Sequence, residues 1–284
     1  GGAAGCGAPP RSPLLRPGRP PEEGLHYDFI EIGTSTYHTF TQAVAGHPEG
    51  KPYAWRFLPW DRHPLRLRGL AVDMQRSYLD QLPDLPRVEK VHAAVSDRAG
   101  EQRMYHVEPA DVERWEAIFA NRGQWHRFKT IRLARGCSAL RSHAMLRRAL
   151  AGVGLQHLGR TKKVKTLTMK SLLLRHRVKS IGMLALDCEG HDCAILRGLI
   201  RACKARPAWF PDWIWFESNG MNDEVLGKGA EQETVSELLR CGYKVWWGGG
   251  YEASGKRDTL LARPNAIWNQ LHCVPKPRHE KKKK

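Results

Sequence analysis

Glu31, Asp73, Asp187 and Glu217 each stand at or near the end of a short apolar run, in FIEIGTS, LAVDMQ, LALDCEGHD and WIWFESN. A further run, HAAVSD, closes on Ser96 and Asp97. Polar residues gather around these acids: Gly33, Thr34 and Ser35 after the first, Gln75 after the second, Glu189, Gly190, His191 and Asp192 after Asp187, Ser218 and Asn219 after Glu217. Carboxylates accept hydrogen bonds and carry negative charge, so a rim of them suits a ligand with hydroxyls and a positive centre. Each residue alone has a plainer use. Gly33 fits a turn that needs positive φ, and Asp73 or Asp97 fits a helix cap. Acids at successive run ends are harder to assign to turns and caps one by one.

Such a rim needs elements to hold it. The candidate strands are YDFIEIG, LRGLAVDM, VEKVHAAVSD, IGMLALDCEG, DWIWFES, YKVWWGG and DTLLARP. Between them lie helix-like stretches such as RSYLDQLPDL, CAILRGLIRAC and ETVSELLRCG. Apolar strands alternating with amphipathic helices predict an α/β fold: a doubly wound, mostly parallel sheet with right-handed crossovers. YKVWWGG and DTLLARP, joined by a glycine-rich loop, read as a hairpin, so a terminal strand is expected to be antiparallel. In an open sheet of this kind, ligands bind beyond the carboxyl ends of the strands, where the acids lie.

Asp73 narrows the ligand. An acid after the second strand can accept both ribose hydroxyls of an adenosine. A dinucleotide site would add G-x-G-x-x-G to cradle a pyrophosphate. That motif and the P-loop are both absent, so an adenosine without phosphates is favoured. Asp187 or His191 could take a proton, His191 having an unperturbed pKa of about 6.5. A solvated histidine at a helix start is the equally plain reading of His191. Asp187, Glu189, Asp192 and Glu217 also have the chemistry of a hard-cation site, for which Mg²⁺ is the matching ion, although nothing in the spacing requires a metal.

Charge points to partners. The net charge of the 284-residue chain is +17. Residues 121–180 hold sixteen Lys or Arg and no Asp or Glu, and the tail KPRHEKKKK adds more. Such a field attracts phosphates, nucleic acid, acidic headgroups or acidic glycans. RGQWHRFKTIRLARG mixes aromatics with arginines, as surfaces that stack RNA bases do, though a basic run is more often a solvated face. Seven cysteines without a C-x-x-C pair fit reduced thiols and a cytoplasmic compartment. No window approaches ~18 uninterrupted apolar residues, so no membrane span is expected. By composition, residues 1–24 read as disordered, 25–265 as the folded domain with a basic insertion over about 108–163, and 266–284 as a basic tail.

The pattern resembles class I S-adenosylmethionine-dependent methyltransferases, and more narrowly the FkbM family. FIEIGTS resembles the acid-x-Gly opening loop. VHAAVSDRAGEQRMYHV resembles the family's A-(V/L)-S-D-x-x-G segment. VKTLTMKSLLLRHRVKSIGMLALDCEGHDCAILRGL resembles the stretch leading to K-I-D-V-E-G-x-E-x-x-x-L-x-G. The likeness covers about residues 27–265 apart from the basic insertion. It implies a Rossmann-like methyltransferase fold, S-adenosylmethionine as cofactor and O-methylation of a sugar-like or other small-molecule hydroxyl. By matched position, Glu31, Gly33, Thr34 and Ser35 would border the methionine end of the cofactor, Asp73 would hold the ribose, and Ser96 and Asp97 would border the adenine. Asp187, Glu189 and His191 would face the transferring methyl and the acceptor. Tyr37 departs from the family's last loop glycine, and Ala185 from its usual lysine. These departures keep a second expectation open: an inactive methyltransferase-fold protein that binds RNA or another polyanion through its basic insertion.

Overall fold

The computed structural model describes residues 24–34, 40–45, 66–132, 134, 138–140, 144–250, 258–264 and 266. Ser35, Tyr37, the N-terminal segment before Gly24 and the C-terminal tail lie outside the described residues.

Strands buried inside a parallel sheet must be apolar on both faces; the runs around Phe29, Leu70, Leu184 and Ile214 meet that demand, and the two edge runs, VEKVH and KVWW, stay largely exposed. They form β1 (Leu25–Ile32), β2 (Gly69–Asp73), β3 (Val88–His92), β8 (Val178–Leu186), β9 (Trp213–Glu217), β10 (Lys244–Trp247) and β11 (Asp258–Ala262). Together they make one seven-stranded sheet in the order β10-β11-β9-β8-β1-β2-β3. All neighbours are parallel except β11, which runs antiparallel to both β9 and β10. The chain's last described strand therefore slots inside the sheet and leaves β10 as the edge. This is the Rossmann-like, doubly wound fold.

The period of two along each strand sends alternate residues to opposite layers. Ile30, Ile32, Leu184 and Leu186 face one core, shared with Leu172, Leu196, Leu199 and Leu238. Those partners lie on α6 (Met169–Arg175), α7 (Asp192–Ala205) and α9 (Ala230–Arg240). Phe29, Met183 and Ala185 face the other layer with Phe40 and Val44 of α1 (Phe40–Val44). Leu79 of α2 (Arg76–Gln81) packs on Ala71 of β2. Leu82 is extended ahead of Pro83, which closes α2 earlier than the helical pattern suggests. Strands β1 and β2 thus hand the chain to one face of the sheet, and β8 and β9 to the other.

The expected third strand is two strands. After β3 the chain leaves the main sheet at Ala93 and enters a second, four-stranded sheet as β4 (Ala94–Ser96). That sheet has the order β4-β7-β5-β6, with β5 (Gly100–His106), β6 (Ser138–Leu140) and β7 (Arg160–Thr168). The sequence does not announce it, because β5 and β7 are mostly polar and turn much of their length to solvent. Between β5 and β7 lie α3 (Pro109–Asn121), α4 (Trp125–Arg132) and α5 (Ala144–Gly152). Val112, Phe119, Ile131, Leu146 and Leu150 give this basic segment its own small core. The remaining helix, α8 (Met221–Leu226), follows β9. Among the described residues, no helix is long and apolar enough to cross a membrane.

Candidate functional site

The sheet reverses its winding between β1 and β8. From β1 the chain turns to α1 on one face, and from β8 to α7 on the other, which makes this the switch point where open α/β sheets hold their ligand crevice. Gly33 N–H donates to the Val72 carbonyl at 2.9 Å, and Asp187 N–H donates to the Ile32 carbonyl at 3.0 Å. These bonds keep the ends of β2, β1 and β8 level. Gly33 has φ of +82°, and a Cβ there would run into the Asp187 backbone. Only glycine allows the two strand ends to pass this closely.

Two of the acids position the backbone around the crevice. Both carboxylate oxygens of the buried Glu31 accept from Phe40 N–H, at 3.0 and 2.9 Å, and so tie the start of α1 to the sheet. Asp73 is buried at the end of β2. Its Oδ1 accepts from Gln75 N–H at 2.7 Å, and its Oδ2 from the Thr34 hydroxyl at 3.4 Å. Gly33, Thr34 and Asp73 thus tie the ends of β1 and β2 together, and Glu31 ties β1 to α1.

On the other side, the Asp187–Asp192 turn is held by its own side chains. Glu189 and Gly190 have φ of +51° and +88°. Asp192, fully buried at the start of α7, accepts Cys188 N–H at 3.2 Å. Burial, then the charge of Asp187, pushes the Asp192 carboxyl up to about 8. Glu217 is raised to about 10 by burial and then by Asp187, Glu189, Asp192 and Asp258. Both are held well above the usual carboxylate range, because the crowd of carboxylates cannot all ionise in a partly dry site. Burial, then the charges of Asp192, Asp187 and Asp73, raise the Cys188 thiol well above its usual range, which makes it a poor nucleophile. Among the described residues no three His, Cys, Asp or Glu side chains are grouped so as to hold a metal ion.

Ser96 ends β4 of the second sheet, Asp97 follows it in the bend, and the fold brings Ser96 to His191. The Ser96 hydroxyl lies 3.0 Å from Asp97 Oδ1, 2.8 Å from Gln102 Nε2 and 2.9 Å from His191 Nε2. A hydroxyl has one proton, and a carboxylate can only accept, so that proton goes to Asp97. Gln102 and His191 must then donate, which places a proton on His191 Nε2. His191 is buried, 1% exposed, and joins β4 to the start of α7. Local pattern suggests an open residue at a helix start; the tertiary fold puts it inside.

Sequence reasoning does not single out Asn222 and Glu231. The fully buried Asn222 accepts Cys193 N–H at 2.9 Å and donates to the Glu217 carbonyl at 3.0 Å. Glu231 accepts Gly220 N–H at 2.9 Å. They lock the end of β9 to the start of α7. The only sequence signal is the turn-forming SNG before α8.

No protein-family pattern and no characterised protein sequence matches the chain. Among solved structures, the crystal structure of a methyltransferase FkbM from Methylobacillus flagellatus KT superposes with a TM-score of 0.38 and 11% identity, over 88% of this chain. The chain spans 45% of the length of that structure. At this level of likeness it is the order and direction of the strands, and not the superposition, that define the fold.

Proposed function

We propose that this protein is an S-adenosylmethionine-dependent methyltransferase acting on a hydroxyl of a small-molecule or glycan-like acceptor. One observation carries the reading: Asp73, Gly33 and Asp187 stand at the level carboxyl ends of β2, β1 and β8, where the winding reverses, the place at which open α/β sheets bind ligands. The donor set fits the cofactor. A carboxylate accommodates about four hydrogen bonds, so Asp73 can serve Gln75, Thr34 and a ribose hydroxyl together. The carboxylates of Asp187 and Glu189 favour a cationic sulfonium and amino group over a pyrophosphate.

When bound, the cofactor supplies an electrophilic methyl group. The chain's own residues align the acceptor and manage its proton. Asp187, only partly buried beside the crevice, is the group assigned to take the acceptor proton. His191 acts as a positioning residue: through Ser96 it fixes the turn that carries Asp187 and Glu189. Glu31 sets the path of the chain into α1.

Calorimetric titration with S-adenosylmethionine tests the assignment, beside an Asp73→Ala variant. Binding in the micromolar range, about −8 kcal/mol, is expected for the parent. Loss of hydrogen bonds to a charged acceptor should weaken it about tenfold to a hundredfold in the variant. A folded parent that gives no binding heat would sink the reading.

A further inference from the structure

A cavity of about 640 Å³ opens in the basic segment, between α5, the end of β5 and the start of β7. Tyr105, Arg147, Arg148, Gln156 and Thr161 line it, with Gly159 in its wall. No acid is among its lining residues. Its walls are mostly apolar, from Ala151, the Tyr105 ring and side-chain stems, and its polar groups are of one kind: two guanidinium groups with hydroxyl and amide donors.

The wall is built to hold that ring. A Cβ on Gly159 would collide with the Tyr105 hydroxyl, so glycine is needed for the ring to lie where it does. Tyr105 is nearly buried, which fixes its orientation. Arg147 stands close enough to Tyr105 to oppose the effect of burial on the phenol. Among the described residues no carboxylate lies within ion-pair distance of Arg147. Arg160 and Arg148, by contrast, are engaged, with Asp111 at 2.9 Å and Glu224 at 3.0 Å. A guanidinium with no carboxylate beside it, in a cavity without acids, has the fork of donors that matches a tetrahedral oxyanion.

The cavity is also linked to the crevice. Glu224, the partner of Arg148, belongs to α8. The same helix supplies Asn222, bonded to the Glu217 carbonyl, and Met221, whose backbone abuts Gly190 of the Asp187–Asp192 turn. One short helix therefore touches both places.

We propose that this cavity binds a phosphate or sulfate ester group carried by the acceptor, with the acceptor's ring against Tyr105 and its free hydroxyl directed towards the crevice. The proposal rests on the methyltransferase reading and adds the acceptor class: a hydroxylated, ring-bearing oxyanion ester.

The test uses the full chain and four ligands in separate calorimetric titrations: glucose 6-phosphate, glucose 6-sulfate, inorganic phosphate and S-adenosylmethionine. At least one sugar ester should bind more tightly than inorganic phosphate, and the order of the two esters tells which oxyanion the cavity takes. Arg147→Gln should weaken the sugar ester about tenfold or more while leaving S-adenosylmethionine binding unchanged. Asp73→Ala should do the reverse. Arg147 is exposed, so its replacement is expected to leave the thermal unfolding midpoint in place, and Arg147→Lys should restore part of the affinity. If S-adenosylmethionine binds and neither ester does, or if Arg147→Gln leaves ester binding unchanged, the cavity proposal is overturned with the methyltransferase reading intact. If an ester binds and S-adenosylmethionine does not, the methyltransferase reading fails, and the acceptor role with it.

Discussion

Ser96 and His191 are 95 residues apart in the chain, and their Oγ and Nε2 atoms lie 2.9 Å apart inside the protein. The bond joins the second sheet to the helix that starts beneath the Asp187 turn. Removing the hydroxyl by Ser96→Ala leaves the Nε2–H of His191 and the amide of Gln102 without their acceptor. A loss of about 1–3 kcal/mol is expected, read as a lowered urea midpoint with an unchanged m-value. A change below ~0.5 kcal/mol would show that water replaces the hydroxyl and that the bond holds little.

Asp192 gives a pH signature. Its carboxyl titrates near 8 in the folded protein against 3.8 for the free side chain. Between those values the folded state binds more protons than the unfolded one, so this group's contribution to stability falls as pH rises from about 4 to about 8. Glu217, raised from 4.5 to about 10, acts in the same direction. Asp192→Asn keeps an oxygen for Cys188 N–H and removes the titration. The variant should lose less stability than the parent between pH 4 and pH 8.5 in thermal unfolding. Parallel curves for the two proteins would contradict the burial of an ionisable group there.

Gly33→Ala should be among the most damaging small substitutions. It adds a methyl at φ of +82° and drives it into the Asp187 backbone. The strained conformation alone costs about 1 kcal/mol, and the collision adds to it. We expect a clear drop in the thermal midpoint, or no folded product, with Gly154→Ala as the control, since φ there is +75° and the added methyl meets nothing. Equal effects of the two would mean that only the positive φ matters.

Glu31→Gln probes the link between the sheet and α1. Glutamine keeps one oxygen for Phe40 N–H but loses the charge that both carboxylate oxygens bring to that amide. Hydrogen bonds to charged groups are worth about 1.5–3 kcal/mol, against about 1 for neutral ones, so stability should fall by about 1 kcal/mol. Faster hydrogen exchange at Phe40 than at Ile30 would place the loosening at the start of α1; uniform change would argue against a local role.

The sequence by itself determined the main sheet and the ends of its strands. Strands buried on both faces, such as IGMLAL, must be largely apolar, and an acid at or near the end of each run marks where the strand ends. Those two rules are enough to place Glu31, Asp73, Asp187 and Glu217 at one end of the sheet. They also fix the final hairpin, though not that β11 would enter the sheet between β9 and β10. Only the tertiary structure decided the rest. Strands β5 and β7 pair with each other while facing water, so their charged residues leave no apolar run to read. The break at Ala93, the meeting of Ser96 with His191 and the clustering of Arg147 with Tyr105 depend on contacts between distant parts of the chain. Local pattern records which face a residue seeks; it does not record which partner waits there.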